Sequence, residues 1–194
     1  MKYYPHIKRI LDVLFSLIIM VILFPFLLVV TVVLMITSGA PVIFTQKRIG
    51  KNRKPFMIYK FRTMKKAAPE LPSREIGDEN YVSAFSRFLR KTGIDELPQL
   101  INILKGDMSF VGARPLMVDE KEIHELRDVL GVYRAAPGLT GLAQISCDKI
   151  TSLAEKAKYD AKYTENITFA GDMKIIFATF GKMLSRDGIK ENIK

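Results

Sequence analysis

The sequence predicts an α+β chain that is mostly helical: a membrane-embedded amino-terminal helix followed by a small domain carrying a short β-hairpin. Three observations predict it. Residues 13–36 contain no charged side chain. Two β-type segments flank the turn residues Gly50, Lys51 and Asn52. Most of the remaining apolar residues recur at helical spacing.

The first element is the apolar run. About 24 residues at roughly 1.5 Å each give about 36 Å of helix, enough to cross a bilayer. The run is too long for a signal-peptide core, and no small-x-small pattern closes it, so a retained membrane segment, residues 1–37, is expected before a domain at 38–194. Both flanks are basic: Lys2, Lys8 and Arg9 precede the run, and Lys47, Arg48, Lys51, Arg53 and Lys54 follow it. Positive flanks favour the cytoplasmic side. A spanning helix leaves Lys8 and Arg9 outside, whereas a re-entrant helix bent at Pro25, where a backbone bond is missing, keeps both flanks inside. Charge favours the re-entrant form. In either form the later part of the chain is expected on the cytoplasmic side.

Within the domain, 42–45 and 56–61 read as strands and 66–80, with Pro69, Pro72 and Gly77, as a loop. A helix is expected over 81–91, with Phe85, Phe88 and Leu89 on one face. A second is expected over 95–104, carrying Leu97, Leu100, Ile101 and Leu104 and capped by Asp95. Residues 106–112 punctuate the chain, 118–130 read as a mostly solvated helix, and 137–141 as a tight loop. A late amphipathic helix after Gly171 presents Met173, Ile176, Phe177, Phe180, Met183 and Leu184, a stripe read as core rather than membrane face.

Net charge is +10 and mean hydropathy +0.12, so the partners are anionic: phospholipid head groups, nucleotides or nucleic acid. No groove-reading motif or stacking set of aromatics accompanies the basic residues, which argues against nucleic acid. The single cysteine, Cys147, excludes an intrachain disulfide and a multi-cysteine metal site. With only His6 and His124 in the chain, His-centred catalysis is disfavoured. A carboxylate and arginine set remains. Asp95 and Glu96 adjoin a helix start, where acidic residues also serve simply to complement the macrodipole. Arg90 precedes them and Arg114 follows in a Gly/Pro-bounded loop, and planar guanidinium forks suit phosphate oxygens. A carboxylate in such company can attack phosphorus or hold a hard divalent ion. Asp107 reads as a turn former or a ligand.

In order along nearly the whole chain stand several further motifs. They are Lys8-Arg9 with Asp12, Phe44-Thr45-Gln46 with Arg48 and Gly50, Tyr59-Lys60-Phe61-Arg62-Thr63-Met64, and Asp95-Glu96-Leu97-Pro98-Gln99-Leu100. Asn102-Ile103-Leu104-Lys105-Gly106-Asp107-Met108-Ser109-Phe110-Val111-Gly112 with Arg114-Pro115 is the most specific, and Pro137-Gly138-Leu139-Thr140-Gly141 with Ala143-Gln144 ends the set. Together they resemble the bacterial sugar transferase family of monotopic phosphoglycosyl transferases. The resemblance implies a re-entrant helix broken near Pro25, anchored at the interface by Lys8 and Arg9, under a cytoplasmic catalytic domain. It implies that Asp95 attacks the β-phosphate of a UDP-sugar, releasing UMP, and that a polyprenyl (undecaprenyl) phosphate takes the phosphosugar, initiating glycoconjugate or polysaccharide synthesis. It further implies Mg²⁺ near Glu96 or Asp95, and phosphate binding by Arg90 and Arg114.

The chain departs from the family pattern at Phe24, where a serine usually precedes the proline, at Ala113, and at Ala136, where an arginine is usual and Arg134 lies two residues away. A membrane-anchored binding protein without activity and a single-step transferase using the carboxylates only for metal are the alternatives. The sugar is not legible, and a homo-oligomer is left open.

Overall fold

The computed structural model describes residues 4–64 and 81–184, so the loop expected over 66–80 lies outside the described residues. The first helix, α1 (Tyr4–Ser38), is long and apolar enough to cross a membrane. It leans on the domain along one stripe. Tyr4, Asp12, Ser16, Val30, Leu34 and Ser38 are buried on it, and Ile19, Met20 and Leu27 pack partly between them. The opposite side is bare: Val21 is 74% exposed, Ile22 68% and Phe24 63%. The break expected near Pro25 is absent, because helical structure runs through it. Proline deletes one N–H and so one backbone bond. The neighbouring groups keep theirs, since an apolar surround offers no replacement.

Both ends of α1 are tied to the same domain. Lys8 Nζ and the Tyr4 hydroxyl donate to Asp172 at 2.6 and 2.7 Å, and Tyr163 donates to the other Asp172 oxygen at 2.7 Å. Arg9 donates to the carbonyls of Ile103 and Leu104. Asp12 accepts from the Phe110 N–H at 3.2 Å. Lys8 and Arg9, expected at the membrane interface, therefore have partners inside the protein. At the far end Arg62 donates to the Gly39 carbonyl at 2.6 Å, a cation on the negative end of the helix.

The hairpin forms as expected: β1 (Ile43–Ile49) pairs antiparallel with β2 (Pro55–Phe61), from Ile43 opposite Phe61 to Ile49 opposite Pro55. The tip is a 3-10 turn, Lys51–Arg53, with Asn52 and Arg53 at positive φ. Phe61 joins Val30, Leu34, Val42 and Leu89 in one core cluster, and Ile58 joins Leu100, Ile103 and Met108 in another.

α2 (Ala84–Thr92) is capped by the Ser83 side chain and buries Leu89, while Phe85 packs partly and Phe88 points outward. The single helix expected over 95–104 is two pieces: a 3-10 helix, Ile94–Gln99, and α3 (Leu100–Lys105). Pro98 has no N–H for the longer helical bond, so the first turn tightens. Asp95 lies inside that turn, and the N-cap position belongs to Gly93 instead. Asn102 is fully buried; it accepts from Tyr59 N–H and donates to Met57 carbonyl and Asp107, stitching α3 to β2. Asp107 is thereby a structural acceptor.

The tight loop expected over 137–141 contains a strand, β4 (Gly138–Thr140), parallel to β3 (Ser109–Val111). Their pairing continues at a glycine crossing. Gly138 N–H donates to the Ala113 carbonyl at 2.9 Å, and Gly112 N–H to the Thr140 carbonyl at 2.9 Å. A side chain on Gly112 would stand 2.5 Å from the Ala136 carbonyl oxygen, so both motif glycines are required by close approach of backbones.

α4 (Lys121–Val129) is less solvated than its composition suggests, because Ile123, His124 and Arg127 are buried. A 3-10 turn (Val132–Arg134), short α5 (Leu142–Ile145), α6 (Leu153–Glu165) and α7 (Phe169–Leu184) complete the described fold. In α7 the core side is Asp172 and Ile175, whereas Phe177 and Phe180 are 71% and 58% exposed. The stripe assigned to core thus faces outward in part. Buried hydrogen-bonding of Asp172 determines the rotation of the helix, which apolar periodicity does not register.

Candidate active site

Gly93 brings the site residues together. Its left-handed backbone (φ 67°) ends α2, and its N–H caps the Arg90 and Leu89 carbonyls. The chain reverses there, so that Arg90 from the last turn of α2 faces the 3-10 helix carrying Asp95 and Glu96. Arg90 Nε donates to Thr63 Oγ1 at 2.7 Å. The carboxyl-terminal end of β2 and the two residues after it thus divide their side chains between two tasks. Lys60 and Thr63 serve this cluster, while Phe61 and Arg62 pack on and cap α1.

Glu96 is clamped. Lys60 Nζ lies 2.7 Å from Oε1, Arg114 Nη2 3.0 Å from Oε1, and Arg114 Nη1 3.5 Å from Oε2. All three side chains are only about one-fifth exposed: 17% for Lys60, 19% for Glu96 and 23% for Arg114. Asp95 makes no side-chain hydrogen bond or ion pair among the described residues. The two carboxylates therefore diverge electrically. Burial alone raises the Glu96 pKa, but Arg114 and Lys60 overcome it and hold the group down at about 2. Asp95 is pushed up to about 6, by burial first and then by the charge of Glu96, against the pull of Lys60, Arg90 and Arg114. At neutral pH both are ionised, and Asp95 is the more basic anion and the one with free lone pairs.

The structure thus brings together Asp95, Glu96, Arg90 and Arg114, and separates Lys8, Arg9 and Pro25 from them. Arg134, two residues from Ala136, is exposed, and its guanidinium lies back over Gly131. Lys60 is the residue sequence reading passed over. It sat in a run of basic residues with no spacing to single it out, and only its place two residues after the buried Ile58 on the strand hinted at an inward aim.

No group of three His, Cys, Asp or Glu side chains that could hold a metal occurs among the described residues. Mg²⁺ does not need one: it binds through one or two carboxylates together with substrate phosphates. Adjacent carboxylates beside phosphate-matched cations fit that mode.

Glu96→Gln tests the electrostatic coupling. Removing the anion beside Asp95 lowers the Asp95 pKa, so the acid limb of a pH–rate profile should move below about 6, even as the rate falls by about 10²-fold through loss of the Lys60 and Arg114 clamp. An unmoved limb would show that the carboxylates do not sense each other.

The family model for bacterial sugar transferases matches residues 3–186. The uncharacterized sugar transferase EpsL of Bacillus subtilis is 41% identical over 155 residues, covering 79% of this chain and 75% of that protein. The undecaprenyl-phosphate galactose phosphotransferase of Salmonella typhimurium is 35% identical over 198 residues, 94% of this chain and 41% of that protein. The UDP-glucose:undecaprenyl-phosphate glucose-1-phosphate transferase of Caulobacter vibrioides is 34% identical over 189 residues, 93% and 70% respectively.

Proposed function

The chain belongs to the bacterial sugar transferase family and is a phosphoglycosyl transferase, and from that premise we propose that it moves a phosphosugar from a UDP-sugar to undecaprenyl phosphate through an ester on Asp95. One observation carries the division of labour: Glu96 is held by Lys60 and Arg114, whereas Asp95, beside it, has no side-chain partner among the described residues.

In the first step an Asp95 carboxylate oxygen attacks the β-phosphorus. The bond from that phosphorus to the bridging oxygen breaks, and UMP leaves with the electron pair. In the second step a phosphate oxygen of the lipid attacks the same phosphorus, and Asp95 is released as carboxylate. Splitting the reaction keeps two anionic substrates from occupying the site together. Arg90 and Arg114 bind phosphate oxygens, and Glu96 fixes the Arg114 and Lys60 charges in place without neutralising the pocket. Mg²⁺ held by Asp95 or Glu96 with the diphosphate would offset charge on the departing nucleotide. The apolar acceptor suits the location, since residues 60–63, at and just after the end of β2, serve both the carboxylate cluster and the end of α1.

Incubation with a panel of UDP-sugars and undecaprenyl phosphate tests this by UMP release. Donor alone should give a burst of UMP no larger than the enzyme present. A chain that releases no UMP from any donor would overturn the transferase reading for this panel of substrates, and turnover without a burst or a trapped ester would point to a single step.

The same reading puts the domain on the cytoplasmic face of the inner membrane, with both ends of the continuous α1 on that side. Support comes from Tyr4, Lys8 and Arg9 at one end and Ser38 and Gly39 at the other, all bonded to one domain. In a Cys147→Ser background, His6→Cys and Lys54→Cys should both resist an impermeant thiol reagent in intact cells and both react in inverted vesicles. Labelling of position 6 from outside would establish a spanning helix.

A further inference from the structure

The loop that carries Arg114 is fastened at four successive carbonyls, each by a different donor. Arg127 Nη1 donates to the Arg114 carbonyl at 2.9 Å, Arg48 Nη1 to that of Pro115 at 3.3 Å, Ile49 N–H to that of Leu116 at 3.0 Å, and His124 Nε2 to that of Met117 at 2.6 Å. A carbonyl only accepts, so His124 carries a proton on Nε2, and its Nδ1 is bonded to the Tyr133 hydroxyl. Glu120 closes the end of the loop by accepting from Met117 N–H at 2.6 Å.

Of these donors Arg127 bears directly on the site residue. It is 1% exposed, and its Nε and Nη2 both donate to Asp160 Oδ2, at 3.0 and 2.6 Å. A buried ion pair is a weak source of stability, because desolvating both charges offsets most of their attraction and an apolar pair of similar volume does as well. An apolar residue at 127 could not, however, donate to the Arg114 carbonyl. The guanidinium is large and planar enough to grip Asp160 with one edge and the loop with the other.

We propose that Arg127, held by Asp160, is a positioning residue that sets the Arg114 guanidinium against Glu96. The chain of contacts runs Asp160, Arg127, the Arg114 backbone, the Arg114 side chain, Glu96, from the packing of α4 on α6 to the carboxylates. Arg127 touches no reacting atom. It removes the backbone freedom that would otherwise be lost each time the arginine engages phosphate. The proposal rests on the transferase reading for its catalytic consequence, but not for the fastening itself.

Arg127→Lys is the informative substitution. It keeps a charge for Asp160, so the fold survives better than with Arg127→Ala, but a single ammonium cannot hold both partners. In the full chain, with UDP-sugar and undecaprenyl phosphate, UMP release should fall about 10- to 100-fold. The acid limb should also rise, because the displaced Arg114 charge no longer helps Lys60 and Arg90 oppose Glu96 at Asp95. Placed in an Arg114→Lys background, the same change should cost less than about twofold, since residues acting as one unit are non-additive. An equal loss in both backgrounds and at every pH would overturn the proposal.

Amide hydrogen exchange separates this from failure of the transferase reading. Even if no donor is turned over, Arg127→Lys should speed exchange at Ile49, Arg114 and Met117 by about tenfold or more relative to helix α6. Unchanged exchange there would remove the strut regardless of activity.

Discussion

Asp95→Asn will lower the rate of phosphosugar transfer by about 10⁴-fold or more, because the attacking oxygen becomes a neutral amide that cannot form the ester. The effect should be chemical, not structural. Asp95 donates to nothing and accepts from nothing among the described side chains, so its replacement leaves no partner stranded. Its folded pKa of about 6 lies above the ordinary value of 3.8. Between those values the folded chain binds the extra proton, and this ionisation weakens the fold as pH rises through the interval. The Asn variant should therefore be as stable as the parent below it and more stable above it, by on the order of 1–2 kcal/mol after solvent screening. The parent's activity should fall with a limb near pH 6, tenfold per unit below it, as Asp95 protonates. Glu96, held at about 2, contributes no limb in the working range. Mass spectrometry after incubation with donor should find a phosphosugar on Asp95 in the parent and none in the variant. Residual full activity in Asp95→Asn would end the covalent reading.

The second large effect is expected far from the carboxylates. Gly138→Ala should destabilise the chain by about 3 kcal/mol and abolish activity with it. A methyl group there would fall inside the backbone of Gly112, and neither strand can retreat without losing the bonds from Gly138 to Ala113 and from Gly112 to Thr140. Arg114 stands two residues from that crossing, so the site loses its floor. Gly181→Ala is the matched control. It adds the same methyl in α7, where nothing lies within 4 Å, and should stabilise by about 0.5–1 kcal/mol through helix propensity. Thermal unfolding in detergent compares the two directly.

The contrast between these glycines marks what was legible in the sequence. Elements with a local signature emerged where expected: the apolar helix from its missing charges, and the hairpin from β-type runs about Gly50. Asp95, Glu96, Arg90 and Arg114 were found by residue type and motif, and they do converge. Features that depend on distant partners were not. The parallel pairing of β3 with β4 joins segments whose short sequences read only as loops. The rotation of α7 follows from Asp172, whose donors Tyr4 and Lys8 are at the other end of the chain. Lys60 and Arg127 looked like surface charge because nothing local says that a basic residue will be met by a buried carboxylate. The split of the 95–104 helix was readable in Pro98, but apolar periodicity ran across it and obscured the boundary.

The anchorage of α1 on Asp172 has a consequence for the order of assembly. Lys8 and Asp172 are separated by 164 positions, so α1 acquires this tether only once the described elements as far as α7 have been made. Until then, Lys8 has only Asp12 on its own helix as a counter-charge, and α1 is held to the nascent domain by its apolar stripe and by the bonds of Arg9, Asp12 and Arg62. A chain stopped short of α7 would keep the carboxylate pair, the arginines and the hairpin, yet lose the carboxylate that holds Tyr4 and Lys8 at the start of α1. Such a fragment should be cleared by proteolysis before it can act, which makes the synthesis of α7 a checkpoint on where in the cell this chemistry begins.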